Sequence, residues 1–148
     1  MTAQHNELSK LRLERAKQCL ESAELLLNVN DYGGAVNRSY YAIFHGIRTM
    51  LALEGKDFAK HSGVISYFRK TYIKQGLFPV EVSDVIGEAF DIRNVGDYSD
   101  LLFVSREEAQ EQITNARRFL KYRVFNIYCG HPYNICCGES YNNFVVGL

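Results

Sequence analysis

The chain has 148 residues, 47% of them apolar and 23% charged, with seventeen basic and seventeen acidic side chains and a formal net charge of zero. That is one domain's worth of sequence, long enough to bury a core without disulfide or metal support. The charge balance excludes gripping nucleic acid by bulk electrostatics, although a local basic patch is compatible with it.

The opening MTAQHNELSKLRLERAK is polar, and no stretch approaches the ~20 uninterrupted apolar residues of a membrane span, so the expected location is cytoplasmic with no membrane association. Of the four cysteines, Cys19 falls in the first helical pattern, where a lone thiol behaves as a small core residue. Cys129, Cys136 and Cys137 surround His131 as C-x-H-x4-C-C, which lacks the paired spacing of zinc sites. No metal and no cofactor are expected.

Residues 7–29 carry Leu8, Leu11, Ala16, Leu20, Ala23 and Leu27 at three- and four-residue steps, the signature of an amphipathic helix with Glu14, Lys17, Glu21 and Glu24 on its wet side. Asp31 is the expected N-cap of a second helix, 31–54, closed by Gly55. The turn between the two is short, which makes them antiparallel neighbours.

This second helix has two working faces. At about 100° per residue, Val36, Tyr40, Ile43, Phe44, Ile47, Met50 and Leu51 form the core seam. Roughly 140° round, Gly34, Arg38, Tyr41, His45, Arg48 and Ala52 form a second stripe of cations and aromatics. Such a stripe is either a solvated face or a surface for a partner or ligand, since Tyr and Arg are what interfaces favour.

A third helix is expected over 61–75, burying Val64, Ile65, Phe68 and Tyr72 and ending at Gly76. A fourth, 79–95, takes Pro79 in its first turn and buries Val82, Val85, Ile86, Ala89 and Phe90. The stripe then continues into Arg93, a guanidinium that needs a carboxylate, a phosphate or a cleft. Asn94, Gly96, Asp97 and Tyr98 are expected to break the helix there, and Asp97 is a ready mate for Arg93. Ser105-Arg106-Glu107-Glu108 is a capping box for a fifth helix, 105–127, burying Ala109, Ile113, Ala116, Leu120 and Val124. Beyond it, 128–148 reads as an irregular tail. The sum is an all-α, up-and-down four-helix bundle with an additional short helix, spanning 1–127.

No phosphate-binding glycine loop, metal-protease motif or nucleophilic serine motif is present. Three separated segments, however, carry a resemblance. Asp31-Tyr32-Gly33-Gly34-Ala35 leading into Asn37-Arg38-Ser39-Tyr40-Tyr41-Ala42-Ile43-Phe44-His45 is similar to the second helix of HEPN-domain proteins, the higher eukaryote and prokaryote nucleotide-binding domains. Lys60-His61-Ser62-Gly63-Val64-Ile65 and Arg93-Asn94-x-x-Asp97-Tyr98 resemble the same small stand-alone prokaryotic branch. The match spans about residues 8–125.

The resemblance implies a HEPN-like bundle that forms a homodimer with its arginine segment near the interface. It also implies a nucleotide- or RNA-associated module working beside a minimal nucleotidyltransferase in a toxin–antitoxin-like system. Many family members look like metal-independent ribonucleases with an Arg-x4-6-His motif. By position, Arg93 matches the motif arginine, which would hold the scissile phosphate as a charge-assisted bidentate donor. Asn94 matches the polar residue after it. Tyr98 stands where the imidazole would be, and a phenol of pKa ~10 is a poor base at neutral pH. The candidate binding set is therefore Arg93, Asn94, Asp97, Tyr98, Arg38, Tyr41 and His45, with Arg93 and His45 the candidates for catalysis and His61 a further imidazole. An enzyme is not the leading expectation. A ribonuclease with a non-standard base and a purely structural dimerisation module are the alternatives.

Overall fold

The computed structural model describes residues 2–98 and 103–121, and of residues 95–98 the backbone alone. All its elements are helical: α1 (Ala3–Asn28), α2 (Tyr32–Leu53), α3 (His61–Phe68, running on into a π-helical turn at Arg69–Ile73), α4 (Glu81–Tyr98) and α5 (Arg106–Phe119). The expected fold class therefore holds. Residues 122–148, with Val124 and the cysteine-bearing tail, lie outside the described residues.

Local chemistry sets most of the helix ends. Asp31 accepts the Gly34 N–H at 2.9 Å at the head of α2. The Ser105–Glu108 capping box forms in both directions, at 3.1 and 2.7 Å. Gly55 closes α2 at φ +66°, a conformation that costs a residue without a Cβ nothing. The π-helical turn is marked by the Lys74 N–H reaching the Arg69 carbonyl at 2.9 Å, five residues back.

The central element is α2, which packs against α1 along its length and also meets α3, α4 and α5. Its predicted seam is fully inside: Val36, Tyr40, Ile43, Phe44, Ile47, Met50 and Leu51 are all buried. Val64, Ile65, Phe68 and Tyr72 of the third helical segment are buried as expected, as are Ala109, Ile113, Ala116 and Leu120. Phe68, Phe78 and Phe119 close one end of the core, with ring centroids 5.1 to 6.0 Å apart.

Two expectations fail. Leu8 and Leu11 do not join the core; they are 41% and 68% exposed, while Ser9 and Arg12 are buried in their stead. The stripe Ala16–Cys19–Leu20–Ala23–Leu27, stepped backwards by four and then three residues, lands on Arg12 and Ser9. Both are satisfied against α2: the Ser9 hydroxyl donates to the Thr49 carbonyl at 2.8 Å, and Arg12 donates to the Arg48 carbonyl at 3.3 Å.

The second failure is at α4, which does not break at Asn94–Tyr98 but stays helical to Tyr98. A helical glycine costs only about 1 kcal/mol, and no proline interrupts the hydrogen-bond ladder there. Pro79 lies just outside the helix, its carbonyl accepting the Val82 N–H at 3.1 Å.

Candidate functional site

The second stripe of α2 is half-buried rather than solvated: Arg38, Tyr41, His45 and Arg48 are all partly covered, and Ala52 is buried. α4 carries Arg93 over this face. Its Nη2 donates to the Tyr41 hydroxyl at 3.3 Å, and its guanidinium carbon lies 5.5 Å from the Tyr40 ring centroid and 5.7 Å from that of Tyr41. Arg38 approaches the Tyr41 ring at 5.7 Å. These are cation–π distances, in which each ring holds a cation beside a cavity.

That cavity, of about 330 Å³, is lined by Arg15, Asn37, Arg38, Tyr41, His45 and Arg93. Four predicted residues therefore converge: Arg93, Arg38, Tyr41 and His45. Asn94 sits beside them, its side-chain oxygen accepting from Arg93 Nη1 at 3.4 Å. The side chains of Asp97 and Tyr98 lie outside the described residues. Arg15 and Asn37 were missed. An exposed arginine on α1 gives no sequence signal that another helix will carry a histidine and an arginine up to it.

Arg48, on the same stripe, goes elsewhere. It donates twice to Asp57, at 2.9 and 3.2 Å, and Arg12 reaches the same carboxylate at 2.9 Å. Burial pushes the Asp57 carboxyl up, but hydrogen bonds from Arg12, the Phe58 N–H and Arg48 outweigh this and hold it below the ordinary carboxylate range.

Both histidines flank Tyr41, His61 at 5.9 Å and His45 at 6.1 Å between ring centroids. His61 stacks on Phe44 at 4.1 Å. Burial pushes the Tyr40 phenol up to about 12, so it stays protonated, and its hydroxyl is hydrogen-bonded with His61 Nδ1 at 3.0 Å. Burial, and after it Arg93 and Arg48, lower the pKa of His61. His45 is pushed down to about 4, first by burial and then by the charges of Arg48, Arg15, Arg12 and His61. Its buried Nδ1 has no hydrogen-bond partner among the described residues.

The site therefore presents neutral imidazoles, a phenol and an amide among permanently charged guanidiniums. That is the chemistry of an anion receptor. No cluster among the described residues has the ligand set to hold a metal ion. A larger groove of about 630 Å³ between the start of α4 and the end of α5 is lined by Phe78, Val82, Val85 and Phe119, with no histidine among its residues. It is remote in character from this cluster. Among the described residues no helix is long and apolar enough to cross a membrane.

The HEPN domain family model matches residues 9–127. A UPF0332 protein of Thermotoga maritima is 37% identical over 106 residues, covering 72% of this chain and 80% of its own length. A protein of Methanocaldococcus jannaschii named as a candidate toxin is 36% identical over 114 residues, 77% of either chain. Another candidate toxin of the same organism is 31% identical over 108 residues, 73% of this chain and 80% of its own.

Proposed function

Because the chain belongs to the HEPN domain family, we propose that it is a homodimeric nucleotide- or RNA-associated module of a toxin–antitoxin-like system, acting with a minimal nucleotidyltransferase. The names of its Methanocaldococcus relatives support the toxin–antitoxin part of this reading. The observation that carries the ligand part is the convergence of Arg93, Arg38, Arg15, Tyr41, His45 and Asn37, from three helices, on one cavity. Guanidiniums supply bidentate donors for phosphate, and the Tyr41 and His45 rings offer faces on which a base can stack.

Titration of a purified dimer with AMP or a short single-stranded RNA tests the reading. Arg93→Met is expected to lower affinity at least tenfold with the helical content intact, whereas unchanged binding by a folded Arg93→Met protein removes Arg93 from the site. A monomer at tens of micromolar in sedimentation would remove the dimer.

Strong ribonuclease action is not part of this proposal, for a chemical reason. A metal-independent cleavage needs a base to take the 2′-hydroxyl proton and an acid for the leaving oxygen, each most effective with a pKa near the operating pH. His45, pushed down to about 4, is deprotonated at pH 7 but a weak base, and it has no proton to give. The protein is expected to bind RNA and cleave it weakly or not at all. Robust cleavage that survives EDTA and is lost in both Arg93→Ala and His45→Ala would reverse this.

A further inference from the structure

One side of the cavity carries more positive charge than a single phosphate at Arg93 requires. Arg15 from α1 and Arg38 from α2 both line it, and neither forms an ion pair with a carboxylate among the described residues. The carboxylates that form ion pairs or caps among the described residues serve other groups. Asp57 binds Arg12 and Arg48, Glu24 binds Arg117, and Asp31 caps α2. Burial raises the pKa of the Cys19 thiol against the pull of Arg38 and Arg15, so it remains neutral and cancels no charge. His45, which lines the same cavity, is neutral as well. Two guanidiniums facing one cavity repel each other, and the cost grows as solvent is displaced, so the arrangement is relieved by an anion of its own.

Building on the anion-site reading above, we infer that Arg15 and Arg38 hold a second phosphate next to the one at Arg93, so that the cavity selects ligands with two linked phosphates. Asn37 supplies a neutral donor and acceptor at the same rim. Arg15 is then the residue that separates a nucleoside monophosphate from a longer ligand. The two phosphates can be joined directly, as in a nucleoside diphosphate, or through a ribose, as in one step of an RNA strand.

The test is calorimetric titration of the full chain, wild type and Arg15→Gln, with AMP, ADP and the 5′-phosphorylated dinucleotide pApA. The wild type is expected to bind ADP or pApA at least about tenfold more tightly than AMP, whichever is preferred identifying the linkage. Arg15→Gln should abolish that preference, weakening ADP or pApA about tenfold more than it weakens AMP. If pApA is the better ligand, the slope of log affinity against log salt concentration should fall by about 0.7, the loss of one phosphate contact on a single strand. Arg15→Lys, which retains the charge, should keep most of the preference. Equal wild-type affinity for AMP, ADP and pApA overturns the second phosphate position, as does an equal weakening of all three by Arg15→Gln. Failure of the folded wild type to bind any of the three overturns the anion-site reading itself.

Discussion

The polar stripe of α2 divides at His45 into two halves that look alike in sequence and behave differently in the fold. On the C-terminal side, Arg48 and the nearly buried Arg12 share one carboxylate, Asp57. On the N-terminal side, Arg38 and Arg15 face a cavity with no carboxylate among its lining residues. A cation with its counter-charge in place is part of the scaffold. A cation facing a cavity of ligand size is, on the proposed reading, part of a receptor. On that reading, the same residue type serves stability at one end of a helix and recognition at the other, and only the identity of the neighbours decides which.

The largest test of this division uses the residue on the boundary. His45 has a folded pKa of about 4 against an ordinary 6.5, so between these values the unfolded chain takes up a proton that the native one refuses. Its contribution to stability is whole above pH 6.5 and is lost as the pH falls toward 4, up to about 3 kcal/mol. His61 is shifted in the same direction and adds to the loss. Urea unfolding at a series of pH values should show a steep slope in this window that His45→Gln flattens. An unchanged slope in His45→Gln would mean that the imidazole is solvated.

Next in size is the paired half. Asp57→Asn strips two guanidiniums of their charge partner. Because the carboxylate is half-exposed, the expected loss is about 1–3 kcal/mol rather than the larger cost of breaking a fully buried pair. Nucleotide affinity should change little. A stable Asp57→Asn protein with altered binding would break the comparison outright.

Tyr40→Phe removes the hydroxyl that is hydrogen-bonded with His61 Nδ1 at 3.0 Å. About 1 kcal/mol of stability should go with it, measurable by chemical denaturation. The smallest stability effect is expected in the unpaired half. Arg38→Gln should stay within about 0.5 kcal/mol of the parent while nucleotide affinity falls about tenfold. If Arg38→Gln instead unfolds the protein and leaves binding intact, the two halves have been assigned the wrong way round.

The near misses in α1 and α4 have different origins: a neighbouring helix decides the first, and the low local cost of a helical glycine allows the second. Leu8 and Leu11 are good core residues by composition, yet α1 turns Ser9 and Arg12 toward α2, where the Thr49 and Arg48 carbonyls accept them. Asn94 and Gly96 are poor helix formers, yet α4 holds its ladder past them.

What the sequence determined alone was everything governed by contacts a few residues apart. The capping of α2 by Asp31 and of α5 by Ser105–Glu108, the stop at Gly55 and the seam from Val36 to Leu51 were all legible, because caps and periodicity are local properties of the backbone. So was the singularity of Arg93, a charge at the end of an apolar stripe. The tertiary structure alone decided which cations would share a carboxylate and which would share a cavity. Arg12 meets Asp57 across 45 residues, and Arg93 meets Tyr41 across 52. Such meetings depend on how helices rotate and cross as their apolar faces pack, and no pattern within a single helix encodes that rotation.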